Sequence, residues 1–379
     1  MHNLHHTSLK TIKVLGLMTG SSADGLDICL VKFTGEDSHP QYEIQLSTEI
    51  PYPSNFGSAF RNPLELDEAA IQRLDTELGI WFAKEVSKLN LDFDLVASHG
   101  QTIKHEPPHF TLQIGNPKFL ADSSGRSVIY DFRTADIKQG GQGAPLIPIV
   151  DQYLFQTARS DTLALNIGGI ANLTVVPAKQ NPVPLLAWDT GPGNTLIDKA
   201  VRLYTKDKLS YDPEGSIAAQ GKLNEKLIEY LLEHEFYQTP PPRSAGQEQF
   251  GKTYFNTLLS LFYPNSQQEF KDFIFTLTVL TSRSIAQSIT QLPEQYSPTT
   301  MFIGGGGYFN KTLIGLIKSE VPDIDVKGVD LHGITVRNKE AFGFAYLGYL
   351  HNKNLPGNIT SVTGARQEIV LGNTILPQK

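Results

Sequence analysis

Apolar residues occur in this chain at two alternating spacings. Val14, Leu15, Leu17 and Met18 make one apolar run and residues 26–33 a second, with Thr19-Gly20-Ser21-Ser22 between them. Short runs bounded by small polar residues predict strand, turn, strand over residues 12–33. A third strand is expected at 42–49. From 71 to 89 the spacing becomes helical, with Ile71, Leu74, Leu78, Trp81, Phe82, Val86 and Leu89 on one face. A short apolar strand, Leu95-Val96-Ala97, then runs into Ser98-His99-Gly100-Gln101-Thr102.

The second half repeats this order. Residues 162–176 read as strand, glycine turn (Gly168-Gly169-Ile170-Ala171-Asn172), strand, and a further apolar strand, Leu185-Leu186-Ala187-Trp188, ends in Asp189. Helical spacing follows at 224–233 and 273–292. Met301-Phe302-Ile303 then leads into Gly304-Gly305-Gly306-Gly307, with a helix expected from Lys311. Identity between the halves is negligible; what recurs is the order of elements. That order predicts a duplicated α/β domain with a ligand cleft between the copies, the turn-bearing strand ends facing it. With 379 residues the chain exceeds one ordinary core and divides into two. The expected division is residues 1–130, joined by 355–379, and residues 131–354. Residues 127–148, which hold Gln139-Gly140-Gly141-Gln142-Gly143-Ala144-Pro145, read as a hinge or as a loop where backbone approaches a ligand.

Composition narrows the classes. No apolar stretch approaches the length of a membrane span, and the polar, His-rich start has no signal-peptide core. His2, His5 and His6 read as part of a mobile tail, with weak metal binding as the alternative. The single cysteine, Cys29, excludes an internal disulfide framework, fits a reducing, cytoplasmic setting, and reads as a buried structural thiol within Ile28-Cys29-Leu30-Val31. A net charge of −7 without a basic run argues against nucleic acid, so an anionic ligand must be held by local devices such as backbone N–H groups.

Such devices are present as candidates. Three glycine turns follow apolar strands, at 16–25, 168–172 and 304–307. Each alone reads as a tight turn; three of them, equivalently placed in two halves, read as phosphate cradles, with Ser21, Ser22 and Asn172 adding side-chain donors. The pattern G-x-x-x-x-G-K-[ST] occurs once, at Gly246–Thr253, but Thr239-Pro240-Pro241-Pro242 and not an apolar strand leads into it, so it does not read as a Walker-type site. Asp24 is either a magnesium ligand, through water, or a turn residue beside Gly25, and Asp27 reads as structural. Asp189, opening Thr190-Gly191-Pro192-Gly193-Asn194, reads either as a general base or as a helix N-cap, with Asn194 and Asp198 able to orient it or to bind ligand. Arg133, between Asp131 and Asp136, is either a structural ion-pair partner or a clamp for a ligand carboxylate. His99 reads as a structural donor, while Gln101 and Thr102 suit sugar hydroxyls.

Taken together, these stretches resemble the anhydro-N-acetylmuramic acid kinase family. The resemblance rests on Gly16-Leu17-Met18-Thr19-Gly20-Ser21-Ser22-Ala23-Asp24-Gly25-Leu26-Asp27, Ser98-His99-Gly100-Gln101-Thr102 and Asp131-Phe132-Arg133. It continues through the Gly140–Pro145 loop, Asn166-Ile167-Gly168-Gly169-Ile170-Ala171-Asn172, Asp189-Thr190-Gly191-Pro192-Gly193-Asn194, Pro242-Arg243-Ser244-Ala245-Gly246, Glu340-Ala341 and Leu355-Pro356-Gly357-Asn358. It implies the duplicated actin/hexokinase-like (ribonuclease H-like) two-domain fold with a central cleft. It also implies ATP and Mg²⁺ as cofactors and a small anhydro-sugar as substrate, with no membrane partner and with a homodimer as a compatible assembly. The implied reaction couples hydrolysis of 1,6-anhydro-N-acetylmuramic acid to its phosphorylation. By resemblance Asp189 is the base. Gly16, Gly20, Ser21, Ser22, Asp24, Gly25, Gly168, Gly169 and Asn172 cradle phosphate, and Gly304, Gly305 and Gly306 lie near the nucleoside. His99, Gln101, Thr102, Arg133, Asn194 and Glu340 stand on the substrate side. Ala23 and Ser21 depart from the bulkier aliphatic residue and the threonine usual there; Ser21 keeps the hydroxyl. The rival readings are a kinase for a different sugar and a non-catalytic nucleotide sensor of the same fold.

Overall fold

The computed structural model describes residues 10–20, 25–61, 66–330 and 333–378. Ser21, Ser22, Ala23, Asp24 and the His-rich start lie outside the described residues. The chain divides into two compact units, Met1–Tyr153 with His332–Lys379, and Leu154–Leu331.

In the first unit the two apolar runs become β1 (Thr11–Met18) and β2 (Gly25–Thr34), and β3 (Gln41–Pro51) completes an antiparallel meander. β4 (Leu95–Ser98) lies parallel to β1 on its other side. β5 (Gln101–Glu106) and β6 (Phe110–Ile114) form a separate hairpin, and β7 (Ser127–Tyr130) lies parallel to β4. A short strand, Asn373–Ile375, closes the edge beyond β7.

Side chains alternate across this sheet. Leu15, Leu17, Leu26 and Ile28 pack against Leu74, Leu78, Phe82 and Val86 of the helix Glu68–Lys88, which Asp67 caps by accepting the Ala70 N–H at 2.7 Å. Val14 and Gly16 face the other way, towards the helix Lys339–Asn352. A Cβ on Gly16 would overlap the Ala341 carbonyl and the Ala345 backbone, and one on Gly348 would overlap Ala97. Glycine on both surfaces lets helix and strand approach backbone to backbone.

That helix explains why the units divide at other points than 130/131 and 354/355. It covers β1 and β2, and it binds the helix Pro148–Phe155 through a buried Lys339–Asp151 ion pair and a Tyr153–Tyr346 stack at 4.3 Å. The helix Lys339–Asn352 and residues Pro148–Tyr153 therefore join the first unit.

In the second unit β8 (Asp161–Ile167) and β9 (Ile170–Val176) form a hairpin about Gly168-Gly169, and β10 (Leu186–Pro192) pairs antiparallel with β9. β11 (Pro298–Gly304) lies parallel to β8, and β12 (Asp325–Gly328) parallel to β11. The sheet order is β10-β9-β8-β11-β12, and in the first unit β3-β2-β1-β4-β7. Order and strand senses are the same, so the repeat read from the sequence is a true structural duplication: two ribonuclease H-like sheets of the actin/hexokinase type.

The helices expected at 224–233, 273–292 and from Lys311 are Glu225–Leu232, Gln267–Thr290 and Lys311–Glu320, opened by the caps Asn224, Ser266 and Asn310. Among the described residues no helix is long and apolar enough to cross a membrane. Cys29 is buried, and burial pushes its thiol up to about 12, which fits the structural reading and not a nucleophile.

Candidate active site

In the second unit three glycine segments converge on Ile167. The Gly168 N–H closes the β8–β9 turn on the Ile170 carbonyl at 3.1 Å. The Gly193 and Thr195 N–H groups donate to Gly169 O at 2.9 and 3.1 Å, and the Asn194 N–H to Gly168 O at 2.8 Å. Asn194 also donates its side-chain Nδ2 to the carbonyls of Ile167 and Gly168, at 3.2 and 3.1 Å. The amide nitrogen of Asn194 therefore holds the turn, and Asn194, not Asp189, takes the N-cap position of the helix Thr195–Thr205.

Gly305, with φ at 79°, lies directly on the Ile167 backbone, where no Cβ fits, and Gly307 lies on the Ile167 side chain. Gly168, Gly169 and Gly306 differ. A Cβ would meet only ordinary contacts at Gly168 (Ile170 O at 3.5 Å) and Gly169 (Thr195 Cβ at 4.0 Å), and nothing within 4 Å at Gly306. Glycine is thus required for close packing at 305 and 307; at 169 and 306 the backbone N–H groups are free to meet a ligand oxygen, while that of Gly168 closes the turn.

A polar rung crosses the same sheet. Gly304 pairs with Asn166, Asn166 with Asn172, and Asn172 with Asp189, across four adjacent strands. Cross-strand partners share a face. Leu165, Ile167, Ala171 and Leu173 point to the core, leaving Asn166, Asn172 and Asp189 half-buried on the opposite face. Asp189 lies inside β10 and not at its end as expected, because the strand continues through a bulge at Thr190 and Gly191 (φ 141°) to Pro192.

The segment Pro242–Gly246 lies along this bulge as a strap. Asp189 donates its N–H to Arg243 O at 2.9 Å, and its Oδ2 accepts the Ala245 N–H at 2.7 Å. Oδ1 makes no hydrogen bond among the described residues. Burial pushes the carboxyl up to about 6; the Ala245 N–H opposes this and the Glu248 charge adds to it. Such a group is ionised at neutral pH and still holds a proton well, the property a general base needs. Asp198, one turn into the helix Thr195–Thr205, is pushed up to about 7 by burial, with Arg202 opposing and Asp212 adding.

In the first unit the end of β1 is tied to Ser98–Thr102. The His99 N–H donates to Leu17 O at 3.0 Å, Thr19 Oγ1 to Gly100 O at 2.7 Å, and Gln101 Nε2 to Gly20 O at 3.3 Å. Gln101, 2 % exposed, also accepts the Tyr52 hydroxyl at 3.1 Å, so its amide braces the loop. Thr102 Oγ1 accepts from Gln113 Nε2 at 3.3 Å. Gly25, like Gly16, has no room for a side chain; its neighbour is the Ile50 backbone.

Arg133 does not pair with its flanking acids, and the structural ion pair is corrected here. Its Nε and Nη2 donate to His99 Nε2 at 3.1 and 2.9 Å, and its Nη1 to Gly143 O at 2.8 Å. Asp131 accepts the Thr134 N–H and the Asn373 side chain. Asp136 is fully buried and accepts from Asn358 Nδ2, Thr363 Oγ1 and the Gly143 N–H at 2.8, 2.7 and 2.8 Å. The glycine-rich segment 139–145 wraps that carboxylate, which is why Gly141, pressed against it, can carry no side chain.

Arg133 keeps two of its five N–H groups free of these bonds. Burial lowers its pKa to about 10, and the Glu340 charge opposes the fall. Burial raises the Glu340 carboxyl, with Lys339 and Arg133 opposing. His99 is held well below the usual imidazole range by burial and by the Arg133 charge. Because Nε2 accepts from a guanidinium, the ring is neutral with its proton on Nδ1. Heteronuclear NMR is expected to show a neutral ring with this tautomer at pH 7; a protonated ring, or the proton on Nε2, would contradict the arrangement.

Two sheets of one strand order and the same strand senses define the duplicated actin/hexokinase-like class of fold. The pattern of the anhydro-N-acetylmuramic acid kinase family matches residues 12–377. Anhydro-N-acetylmuramic acid kinase of Bacillus thuringiensis subsp. konkukian (strain 97-27) is 36% identical, with 96% of this chain and 99% of the relative covered. That of Bacillus cereus (strain AH820) is 36% identical at the same coverage. The chain belongs to the anhydro-N-acetylmuramic acid kinase family. Among solved structures it is similar to (R)-2-hydroxyglutaryl-CoA dehydratase component A of Acidaminococcus fermentans, at TM-score 0.42 and 11% identity over 89% of this chain and 98% of that one.

Proposed function

We propose that this protein converts 1,6-anhydro-N-acetylmuramic acid, ATP and water into N-acetylmuramic acid 6-phosphate and ADP, a cytoplasmic step of cell-wall recycling. The observation that carries the reading is Asp189, with one carboxylate oxygen fixed by a backbone N–H and the other unengaged among the described residues. The unengaged Oδ1 takes a proton from water, and the water oxygen bonds to C1 of the sugar. The C1–O6 bond breaks, and O6 accepts the γ-phosphoryl group as ADP leaves. Phosphoryl transfer of this kind depends chiefly on positioning and charge stabilisation.

In the second unit the backbone N–H groups of Gly169 and Gly306 and the Asn172 amide hold phosphate, with Gly168 closing the turn that presents them; Gly20, Ser21, Ser22 and Gly25 have the same role in the first unit's turn. Arg133 offers its two remaining N–H groups and its charge to the sugar's carboxylate, supported by His99, Thr102 and Glu340. Among the described residues no group of three metal-ligating side chains occurs. Mg²⁺ arrives with ATP and needs few protein carboxylates; Asp24 of the first turn would hold it, through water. Bound there, Mg²⁺ supplies charge neutralisation on the phosphates.

The test is turnover of the anhydro-sugar with ATP and Mg²⁺ in ¹⁸O-labelled water. Label at C1 of a 6-phosphorylated product is the expected result. Phosphorylation without label would overturn the coupled mechanism, and no turnover would favour the sensor reading.

A further inference from the structure

The strap beside Asp189 is anchored by one side chain that the reaction itself does not use. Arg243 is 7 % exposed. Its Nη1 donates to the carbonyls of Phe236 and Thr239 at 3.2 and 2.7 Å, and its Nη2 donates to Ser288 Oγ at 3.3 Å. The guanidinium carbon stands 4.5 Å from the centre of the Phe236 ring. Two separate pieces of the second unit are thereby joined to one side chain: the helix Glu235–Gln238 with its C-cap Thr239, and the C-terminal part of the helix Gln267–Thr290.

The backbone of the same residue and its neighbour brackets the carboxylate. Arg243 O accepts the Asp189 N–H, and two residues on, Ala245 N donates to Asp189 Oδ2. A two-residue span leaves little slack, so the position of the Ala245 N–H depends on where the guanidinium is held. We propose that Arg243 is the positioning residue for the base: its buried guanidinium fixes the strap so that the Ala245 N–H occupies Oδ2 of Asp189 and leaves Oδ1 to the water. The inference rests on the reading of Asp189 as the base.

The charged and titratable groups around this pair are few. Glu248, on the helix Gln247–Phe250, raises the Asp189 pKa by its charge. Arg243 points its own charge away from the carboxylate, into carbonyls and an aromatic ring. Tyr237, whose phenol burial keeps neutral through the physiological range, is the other ionisable group beside Arg243. The Ala245 N–H is the group that opposes protonation of Asp189. If the strap loosens, the base loses that donor, and its protonation moves to higher pH.

A purely structural arginine would lower activity through loss of folded protein and would leave the pH dependence of the folded fraction alone. The test is therefore the pH profile of kcat/KM and the separation of kcat from KM in Arg243→Met, Arg243→Lys and Ser288→Ala, with folded protein quantified in each. In Arg243→Met the acid limb is expected to rise by ~1 pH unit and kcat to fall ~10-fold or more, with KM for ATP within about twofold of the parent. Lysine keeps the charge and can reach the Phe236 and Thr239 carbonyls, so Arg243→Lys is expected to recover most of kcat and of the limb. Ser288→Ala, which removes one acceptor and no volume of consequence, is expected to move the limb in the same direction by less. Should Arg243→Met be too unstable to purify, the lysine and Ser288→Ala proteins decide the matter. An acid limb unmoved in all folded variants, or KM for ATP rising in step with the fall in kcat, would overturn the inference. Asp189→Asn serves as the control that separates the two claims. If it stays active, the base assignment itself falls; if it is inactive while the limb of the Arg243 series is unmoved, only the positioning role falls.

Discussion

Asp189→Asn is expected to lower turnover by ~10³-fold or more while ATP binding, followed by calorimetry, stays near the parental value. Asparagine keeps an oxygen to accept the Ala245 N–H, so the strap stays in place, but it cannot take a proton from water. The same substitution is expected to stabilise the protein at high pH. Burial lifts the Asp189 carboxyl from 3.8 to about 6. Below both values the group is neutral in the folded and unfolded chain alike, and the folded state holds its proton favourably. As pH rises through about 6 the fold acquires a buried charge that the unfolded chain carries without penalty. Above that pH Asp189 therefore withdraws stability, on the order of 2–3 kcal/mol. The melting temperature of the asparagine variant should exceed the parent's above about pH 7 and match it near pH 4. A parental rate in Asp189→Asn would remove it as the base, and parallel melting curves at all pH values would contradict the buried charge.

Gly16→Ala is expected to destabilise the first unit by ~3 kcal/mol or more, read as a fall in the urea midpoint. A single methyl there meets the backbone of the helix Lys339–Asn352 at Ala341 and Ala345, and backbone inside a helix cannot move aside as a flexible side chain can. A phosphate contact at this position would have a different signature, a raised KM for ATP in a protein of parental stability. That second outcome would show that the helix gives way and that the glycine serves the nucleotide.

The duplication was legible because strand-forming runs and glycine turns recur in one order, and the paired sheets follow that order strand by strand. The division into units was not. The helix Lys339–Asn352 is buried on nearly every side, so its sequence carries no amphipathic stripe to say which sheet it covers. Within the site, Gly168, Gly169 and Asp189 were identifiable from motif and position. Gly305 and Gly16 look the same in sequence, yet their glycine serves packing. The Arg133–His99 contact joins residues 34 positions apart, and only the pairing of β4 with β7 brings their strands together. Arg243 stood inside a recognisable motif, but nothing in its neighbours reveals that its guanidinium reaches Phe236, Thr239 and Ser288.

The sequence by itself determined the element order, the turn positions, the family and the carboxylate at 189, because each of these depends on local spacing or on residues close together in the chain. The tertiary structure alone decided which oxygen of Asp189 is held and which is left, that Arg133 turns from its acidic neighbours to His99, and which glycines are open to a ligand. These are properties of contacts between segments distant in sequence. Their energies come from burial and from hydrogen bonds that exist only once each sheet has formed and the segments beside it have packed against it.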